Sequence, residues 1–256
     1  MIDTSPADGD SDSSEGAEPE ENPTRRFRPP LLSPHERHPE QLIVDRVNLA
    51  RSMDDHLDVL TKVLSSDLYA LDLYLTGALQ RSYHLVEGFL LAWDHWNVIV
   101  AAPLVRFQID SLVRAVYLCQ RRDSDDVVLE VMGGTALRTL QDPVSGKKLT
   151  DAYLVAEAGA LYEWLPPVYE MSNEWVHLSD RHIFNAWRNG EGMTLLGRFP
   201  MPADDIPVRF WQELIGAMVQ ATGDLLAVCS GWATYKVSDE HAGNTSTSQP
   251  ESRGAE

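Results

Sequence analysis

The sequence predicts a mainly α-helical protein, folded as a single-domain bundle of six or seven helices. All of its long apolar segments repeat at helical spacing, with apolar residues three and four positions apart. Nothing in the pattern indicates a parallel sheet, so helix-on-helix packing is the arrangement that we expect.

Both ends of the chain have a composition typical of disordered segments. Residues 1–22 contain eight acidic residues and no basic ones, together with many Ser, Gly and Pro. Such a segment cannot bury enough apolar surface to offset its ordering entropy. We therefore predict an acidic, proline-rich and disordered lead-in over residues 1–38, a helical domain over 39–237 and a disordered tail over 238–256.

The first half of the domain contains three predicted helices. The first runs from about residue 39 to residue 64. The second begins after Ser66 or Asp67, and either residue is a suitable N-cap. The third covers Ala101–Arg122 and is apolar on nearly every face. Pro103 lies at or just inside its start, where a missing N–H does no harm.

The second half of the domain is divided by turns. Pro166-Pro167 is expected to interrupt the chain before a new helix begins. A glycine-rich turn between two short apolar runs predicts a β-hairpin near residues 182–199, with strands over 183–187 and 193–199. The remaining helices are expected over residues 125–140, 151–164, 169–177 and 207–234.

Charge and cysteine content restrict the classes of partner. The formal net charge is −18, of which about −7 remains on the domain once both ends are set aside. We therefore do not expect nucleic acid or a membrane as a partner. Cys119 and Cys229 have no partner at metal or redox spacing, which indicates free thiols in a reducing compartment. Without a signal peptide or an apolar run near the about 20 residues of a membrane span, a cytoplasmic location is predicted.

One charged line runs along the apolar third helix. Arg106, Asp110 and Arg114, here called the arginine line, are four positions apart, so their side chains stack on one face and pair in series. Two arginines against one carboxylate leave a surplus positive charge. That surplus requires a second acid, such as Asp72 or Glu87, or an anionic ligand. The line is therefore either an internal ion network or the floor of an anion-binding pocket.

A second group of polar side chains lies between Tyr169 and His182. Tyr169, Ser172 or Asn173, and His177 lie close to one helix face. His177 is suited to act as a general base, an anion donor or a ligand, or to hold the end of the helix through hydrogen bonds. The candidate binding residues are Arg106, Asp110, Arg114, Tyr169, Ser172, His177, Ser179 and His182.

We predict no metal site and no cofactor. His182 follows His177 by five residues, which is poor spacing for two ligands on one helix, and no third ligand stands at metal spacing. The chain also lacks a glycine-rich phosphate loop, a Gly-x-Ser-x-Gly elbow, a His-Glu-x-x-His motif and a Cys-x-x-Cys motif. These absences weigh against the common enzyme classes.

Three segments, Leu104–Leu118, Gly146–Val155 and Tyr169–Phe184, resemble a family of uncharacterised bacterial all-helical proteins. That family carries an Arg-x-Gln-x-Asp helix, a Leu-Thr-Asp segment and a Tyr-x-x-Ser…His-x-Ser stretch. The resemblance implies a helical fold and supports the choice of polar residues, and it implies no activity. The matching positions are Arg106, Gln108, Asp110, Arg114, Leu149, Thr150, Asp151, Tyr169, Ser172, His177 and Ser179.

A more distant resemblance is to the HEPN superfamily, small helical bundles that include many toxin and defence ribonucleases. Their usual site is an arginine followed by four to six residues and then a histidine. The corresponding positions before His177, residues 170–172, hold no arginine, which departs from the pattern. Arg51 and His56 have the spacing, but they lie in the acidic first helix, and we interpret that pair as chance.

Together these observations predict an intracellular helical protein that binds a small anionic ligand or a protein partner. The arginine line and the stretch around His177 would form one polar site between helices. The alternative is a metal-independent ribonuclease or phosphate-directed hydrolase, with His177 as general base and Arg106 or Arg114 stabilising the transition state. A third hypothesis is a partner-binding module that uses its acidic tails and no pocket.

Overall fold

The computed structural model describes residues 40–176, 187–189, 195–197 and 206–246, all within one structural unit, Leu32–Glu256. It confirms the predicted fold class, because seven α-helices form a bundle in these residues. The helices are α1 (Glu40–Val63), α2 (Ala70–Asp94), α3 (Val98–Cys119), α4 (Ser124–Met132), α5 (Asp151–Gly159), α6 (Leu165–Val176) and α7 (Val208–Ser246). A 3-10 turn (Leu137–Thr139) follows α4, and an antiparallel hairpin of β1 (Trp187–Asn189) and β2 (Leu195–Gly197) separates α6 from α7 in sequence.

Helix α3 lies at the centre of the bundle. It packs against α2, α5, α6 and α7, which is why its apolar residues extend around most of its circumference. Val105, Ile109 and Leu112 are at most 1% exposed. A charged residue on such a helix has to find its partners inside the protein.

Helix α7 is the second core helix and packs against both α1 and α3. Near its start, Trp211 lies edge-on to Trp93 and Trp96, with ring centroids 5.1 and 5.5 Å apart. These rings join the end of α2 to α7. Such edge-to-face pairs each add about 0.5–1.5 kcal/mol beyond the area that they bury.

The start of α3 differs from the prediction. The helix begins at Val98 and is capped by Asn97, whose side chain accepts a hydrogen bond from the Val100 N–H at 3.3 Å. Pro103 therefore lies inside the helix rather than at its start. As the sixth residue of the helix, Pro103 lies beyond the first turn, and its missing N–H removes the hydrogen bond that this position would otherwise donate to the Ile99 carbonyl oxygen.

The start of α2 also differs from the prediction. Its N-cap residue is Tyr69 rather than Ser66 or Asp67. The Tyr69 N–H donates to the carboxylate of Asp72 at 2.8 Å, which satisfies the first turn from within the helix.

Helices α4 and α5 are both shorter than predicted. Helix α4 ends at Met132, far before residue 140, and Gly134 then adopts a φ of +101°, which favours glycine. Helix α5 ends at Gly159, where an added Cβ would lie 2.7 Å from the Pro166 side chain. Pro166-Pro167 does not interrupt a helix but lies in the first turn of α6.

The last two elements also have different bounds. The first hairpin strand is Trp187–Asn189, which shares Trp187 with the predicted strand, whereas residues 183–186 lie outside the described residues. Helix α7 continues to Ser246 and includes the first residues of the predicted tail. Within its segment Val208–Ser238, an 18-residue window has a mean hydropathy of 1.4, so this helix is long and apolar enough to cross a membrane, which the sequence analysis did not predict. Core helices of soluble proteins pass the same test, and 44% of that window is buried here.

Candidate functional site

The arginine line forms as the helical spacing predicts. The Arg106 guanidinium donates from Nη1 to the Asp110 carboxylate. Arg114 lies on the other side of Asp110, with its Nη1 atom 3.3 Å from Oδ1 and 2.9 Å from the backbone oxygen. Asp110 is therefore shared by two guanidinium groups one helical turn away on either side.

The second acid of the network is Asp151, the first residue of α5. Its Oδ1 atom lies 2.5 Å from Arg114 Nη2, and its Oδ2 atom lies 3.4 Å from Arg106 Nη2. Thr150 caps the same helix by accepting the Tyr153 N–H, which places the Asp151 carboxylate at the start of α5. A negative charge there is also favourable for the helix dipole.

The two acids suggested by the sequence lie elsewhere. Asp72 is paired with Lys236 at 2.9 Å, and Glu87 is on the surface beside His84. The expectation that another helix supplies a second carboxylate was right, but both named residues were wrong.

Helix α6 supplies the remaining partners of Arg106. Arg106 Nη2 donates to the Tyr169 hydroxyl at 2.6 Å, and Nε donates to Asn173 Oδ1 at 2.8 Å. The guanidinium carbon also lies 3.8 Å from the centroid of the Tyr169 ring. Ser172 turns back to its own helix and donates to the Tyr169 carbonyl oxygen. Of the two alternatives that the sequence left open, Asn173 is the one that contacts Arg106.

We call Arg106, Asp110, Arg114, Asp151, Tyr169 and Asn173 the polar centre. Four hydrogen bonds leave the Arg106 guanidinium, whose fork carries five N–H donors. Its side chain is only 8% exposed. Two arginines and two carboxylates also balance in charge. Arg106 is therefore saturated by protein partners and has little capacity for a ligand.

Three candidate residues, His177, Ser179 and His182, lie outside the described residues. Arg51 and His56 are described, and they do not share a face: Arg51 is exposed, whereas His56 is 2% exposed. The His56 ring bonds the Ser52 carbonyl oxygen at 2.6 Å and Ser82 Oγ at 2.7 Å. The role of His56 in these contacts is to hold helices together.

Beside the polar centre, a cavity of about 290 Å³ opens between α2 and α3. We call it the arginine cleft. It borders Arg114 on one side and Arg81 on the other. Gly77 forms part of its wall, where an added Cβ would meet nothing within 4 Å. The other lining residues are Leu73, Tyr74, Ala78 and Ser111.

Arg81 is a cation with neutral partners. Its Nη1 atom donates to the Phe107 carbonyl oxygen at 3.0 Å and to Ser111 Oγ at 2.7 Å. Among the described residues, no carboxylate oxygen lies within 4 Å of this guanidinium. Sequence reasoning did not name Arg81, because it stands alone on α2 without an acid three or four positions away.

The electrostatics of the cleft agree with this geometry. Arg81 is exposed as a whole residue, but desolvation of the part that lies against the protein lowers its pKa from the ordinary value, and the nearby Arg114 and Arg106 act in the same direction, against Asp110 and Tyr74. Burial raises the pKa of Tyr74, which lines the same cavity. Arg81 stays charged at neutral pH all the same. It therefore adds one uncompensated positive charge beside a polar centre that is neutral.

No protein-family model, curated protein or solved structure matches this chain. In the described ranges, no three His, Cys, Asp or Glu side chains are grouped so as to hold a metal ion. The thiol of Cys119 is partly buried, and burial raises its pKa to about 12, so it is a poor nucleophile at neutral pH. Of the described residues, Arg81 is chemically suited to bind a negatively charged group, because it lines a cavity and bonds only neutral acceptors.

Proposed function

We propose that this protein is a non-enzymatic, cytoplasmic binding module whose arginine cleft takes a small oxyanion, a carboxylate or a phosphate group. The observation that carries the proposal is Arg81, a charged guanidinium on a cavity wall that bonds only neutral acceptors among the described residues. Arginine is suited to such groups because its planar fork matches two oxygen atoms.

The polar centre has a supporting role in this proposal. Asp151 and the Asp110 backbone oxygen hold both terminal nitrogens of Arg114, at 2.5 and 2.9 Å. Arg114 therefore borders the cleft in one fixed orientation before any ligand arrives. A rigid binding group loses less side-chain entropy when the ligand binds, which favours affinity.

The contacts favour this hypothesis over the hydrolase. In the hydrolase, Arg106 or Arg114 would have to stabilise a phosphate-like transition state. Arg106 already donates four hydrogen bonds within the protein, and its side chain is 8% exposed. Arg114 is the more accessible of the two, at 25%, and it faces the cleft together with Arg81.

Calorimetric titration of the full chain with inorganic phosphate, and separately with acetate, tests the proposal. We expect wild type to bind at least one of the two anions, and Arg81→Gln to weaken that binding about tenfold, the effect of losing one hydrogen bond to a charged group. Gly77→Leu fills the cleft without changing its charge, and we expect it to abolish binding.

The matched control is Arg209→Gln, which removes an arginine whose side chain is 87% exposed and distant from the cleft residues in sequence. It should bind the anion as wild type does. If wild type binds neither anion, or if Arg81→Gln binds as tightly as wild type, the proposal is wrong.

A further inference from the structure

A cavity larger than the arginine cleft lies where α3 ends, and the proposed anion site does not involve it. It has a volume of about 780 Å³ and opens between the end of α3, the start of α2 and the second half of α7. Ligand sites for small organic molecules fall within this size range, about 300–1,000 Å³. We call it the aromatic cleft, after four of its lining residues, Tyr69, Tyr162, Trp232 and Tyr235.

Three of these rings form a continuous wall. The Tyr69 and Trp232 ring centroids are 6.2 Å apart and nearly perpendicular. Trp232 and Tyr235 follow at 5.9 Å, with 34° between their planes. Tyr235 is 61% exposed, although a large aromatic side chain gains free energy from burial. The wall therefore presents ring faces on which a flat molecule can stack.

The cleft also borders a cation without a direct partner in the described ranges, and one carboxylate, Asp125, which accepts a hydrogen bond from the Leu71 N–H at 2.8 Å. Arg121 and Arg122 are neighbours in sequence, and both line the cavity. The Arg121 guanidinium is held by Asp142 at 2.9 Å and by Asp123 at 2.6 Å. For Arg122, no hydrogen bond or ion pair joins it to another residue in the described ranges. One of the two arginines is therefore structural, and the other is available to a ligand.

A glycine keeps the cleft open. Gly231 lies on α7 one residue before Trp232 and lines the cavity, and an added Cβ there would meet nothing within 4 Å. A glycine inside a helix costs about 1 kcal/mol relative to alanine. Because nothing occupies the space above Gly231, a larger side chain at this position would extend into the cavity beside Trp232 and narrow it.

From the aromatic wall, the free cation and the open space above Gly231, we propose that the aromatic cleft binds a small molecule that combines a flat aromatic ring with an anionic group. The ring stacks against Trp232 and Tyr235, and the anionic group pairs with Arg122. This site is separate from the arginine cleft and does not depend on the function proposed above.

Calorimetric titration of the full chain with 1-naphthalenesulfonate tests the site, because this probe has both features. We expect wild type to bind it. Gly231→Leu fills the cavity and should abolish binding. Gly223→Leu is the matched control, since Gly223 is also exposed on α7, also has open space above it and does not line the cleft. It should bind the probe as wild type does, and both variants should keep the wild-type circular dichroism spectrum.

Arg122→Gln separates the two parts of the recognition. We expect it to weaken the binding of 1-naphthalenesulfonate about tenfold. Binding of 1-naphthalenemethanol, which has the ring without the charge, should change by less than about twofold, since no charged hydrogen bond is lost. Arg81→Gln should leave both probes unaffected, because Arg81 lines the other cleft.

The proposal is overturned if wild type does not bind 1-naphthalenesulfonate, or if Gly231→Leu binds it as tightly as wild type. Equal binding by Arg122→Gln would overturn the assignment of the anionic group. Loss of the probe in Arg81→Gln would place it in the arginine cleft and would overturn the separation of the two sites.

Discussion

Two clusters of charged side chains inside this bundle consist of the same kinds of group, and they differ in whether they reach solvent. The first is the Lys236–Asp72 pair, whose side chains are 1% and 0% exposed. Lys236 Nζ donates to Asp72 at 2.9 Å, to the Val63 carbonyl oxygen at 2.7 Å and to the Asp67 carbonyl oxygen at 3.1 Å. All three donors of the ammonium group are therefore used.

Asp72 is equally satisfied. Besides Lys236, it accepts a hydrogen bond from Trp232 Nε1 at 2.7 Å and one from the Tyr69 N–H at 2.8 Å. The pair thereby joins the end of α1, the start of α2 and the second half of α7. It is a closed cluster, in which every polar group already has a partner within the protein.

The polar centre is closed at one end and open at the other. Exposure of its side chains rises from 8% at Arg106 through 25% at Arg114 to 36% at Asp151. At the open end, Arg114 borders a cavity that also holds Arg81. The comparison teaches that burial of charge does not by itself indicate a binding site. A better indicator of a binding site is a charged side chain that lies beside a cavity and has only neutral partners within the protein.

The largest expected effect comes from opening the closed cluster. Asp72→Asn leaves Lys236 buried without a counter-charge, and breaking a buried pair in this way costs about 3–5 kcal/mol. Urea denaturation followed by circular dichroism measures the loss in the free energy of unfolding. The double variant Asp72→Asn with Lys236→Met removes both charges and should recover part of that loss. A loss below about 1 kcal/mol in the single variant would contradict the description of a closed cluster.

The same substitution at the open end should have a smaller effect. Asp151→Asn removes a carboxylate that is partly exposed, while Asp110 continues to pair with both arginines. We expect a loss of about 1–2 kcal/mol in the free energy of unfolding, measured under identical conditions. A loss equal to that of Asp72→Asn would mean that solvent does not screen this end of the network.

The pH dependence of stability tests a second closed cluster, the buried and neutral His56 ring with its hydrogen bonds to Ser52 and Ser82. Burial lowers the pKa of His56 from its usual 6.5, against the Ser52 carbonyl oxygen and Asp55, which raise it. As pH falls below about 6.5, the unfolded chain therefore takes up a proton at His56 before the folded protein does, and stability falls. The contribution of neutral His56 is present above pH 6.5 and is lost as pH falls through the folded pKa.

Denaturation at a series of pH values between 5 and 8 measures that slope. The chain contains eight histidines, so wild type alone does not assign the effect. His56→Gln keeps a polar side chain at this position and should show a shallower slope than wild type. An identical slope in the two proteins would contradict the assignment to His56.

The smallest expected effect compares two glycines. Gly77 lines the arginine cleft with open space above it, so Gly77→Ala should raise the free energy of unfolding by about 0.5–1 kcal/mol through helix propensity. At Gly159 the added Cβ would lie 2.7 Å from Pro166, so Gly159→Ala should lower it. Effects of the same sign, seen in thermal and urea denaturation, would show that one of these environments is described wrongly.

Local patterns predicted much of this molecule. The fold class, the apolar α3 and the pairing along the arginine line all follow from residues three or four positions apart, which a single helix brings together. Helix ends were less predictable. The actual start of α3 depends on Asn97, and the start of α6 includes two prolines that also resemble a break.

The candidate site needed more than local pattern. Asp151 completes the polar centre from 37 residues beyond Arg114. Its Leu-Thr-Asp context indicated the start of a helix, but it gave no information about which arginine the Asp151 carboxylate would pair with. The choice between Ser172 and Asn173 depends on the rotation of α6 against α3, and one residue of rotation exchanges them. Arg81 enters the site because α2 packs beside α3, a relation that no spacing in the sequence expresses.

By itself, then, the sequence determined the helical fold class and which charges align along α3. Both depend on backbone periodicity, which acts over one or two turns. The tertiary structure alone decided that Asp151 neutralises the arginine line, that Lys236 encloses Asp72 and that Arg81 faces a cavity. Those outcomes are set by how whole helices bury their apolar faces against one another, and that packing, rather than any local preference, selects which distant polar groups meet.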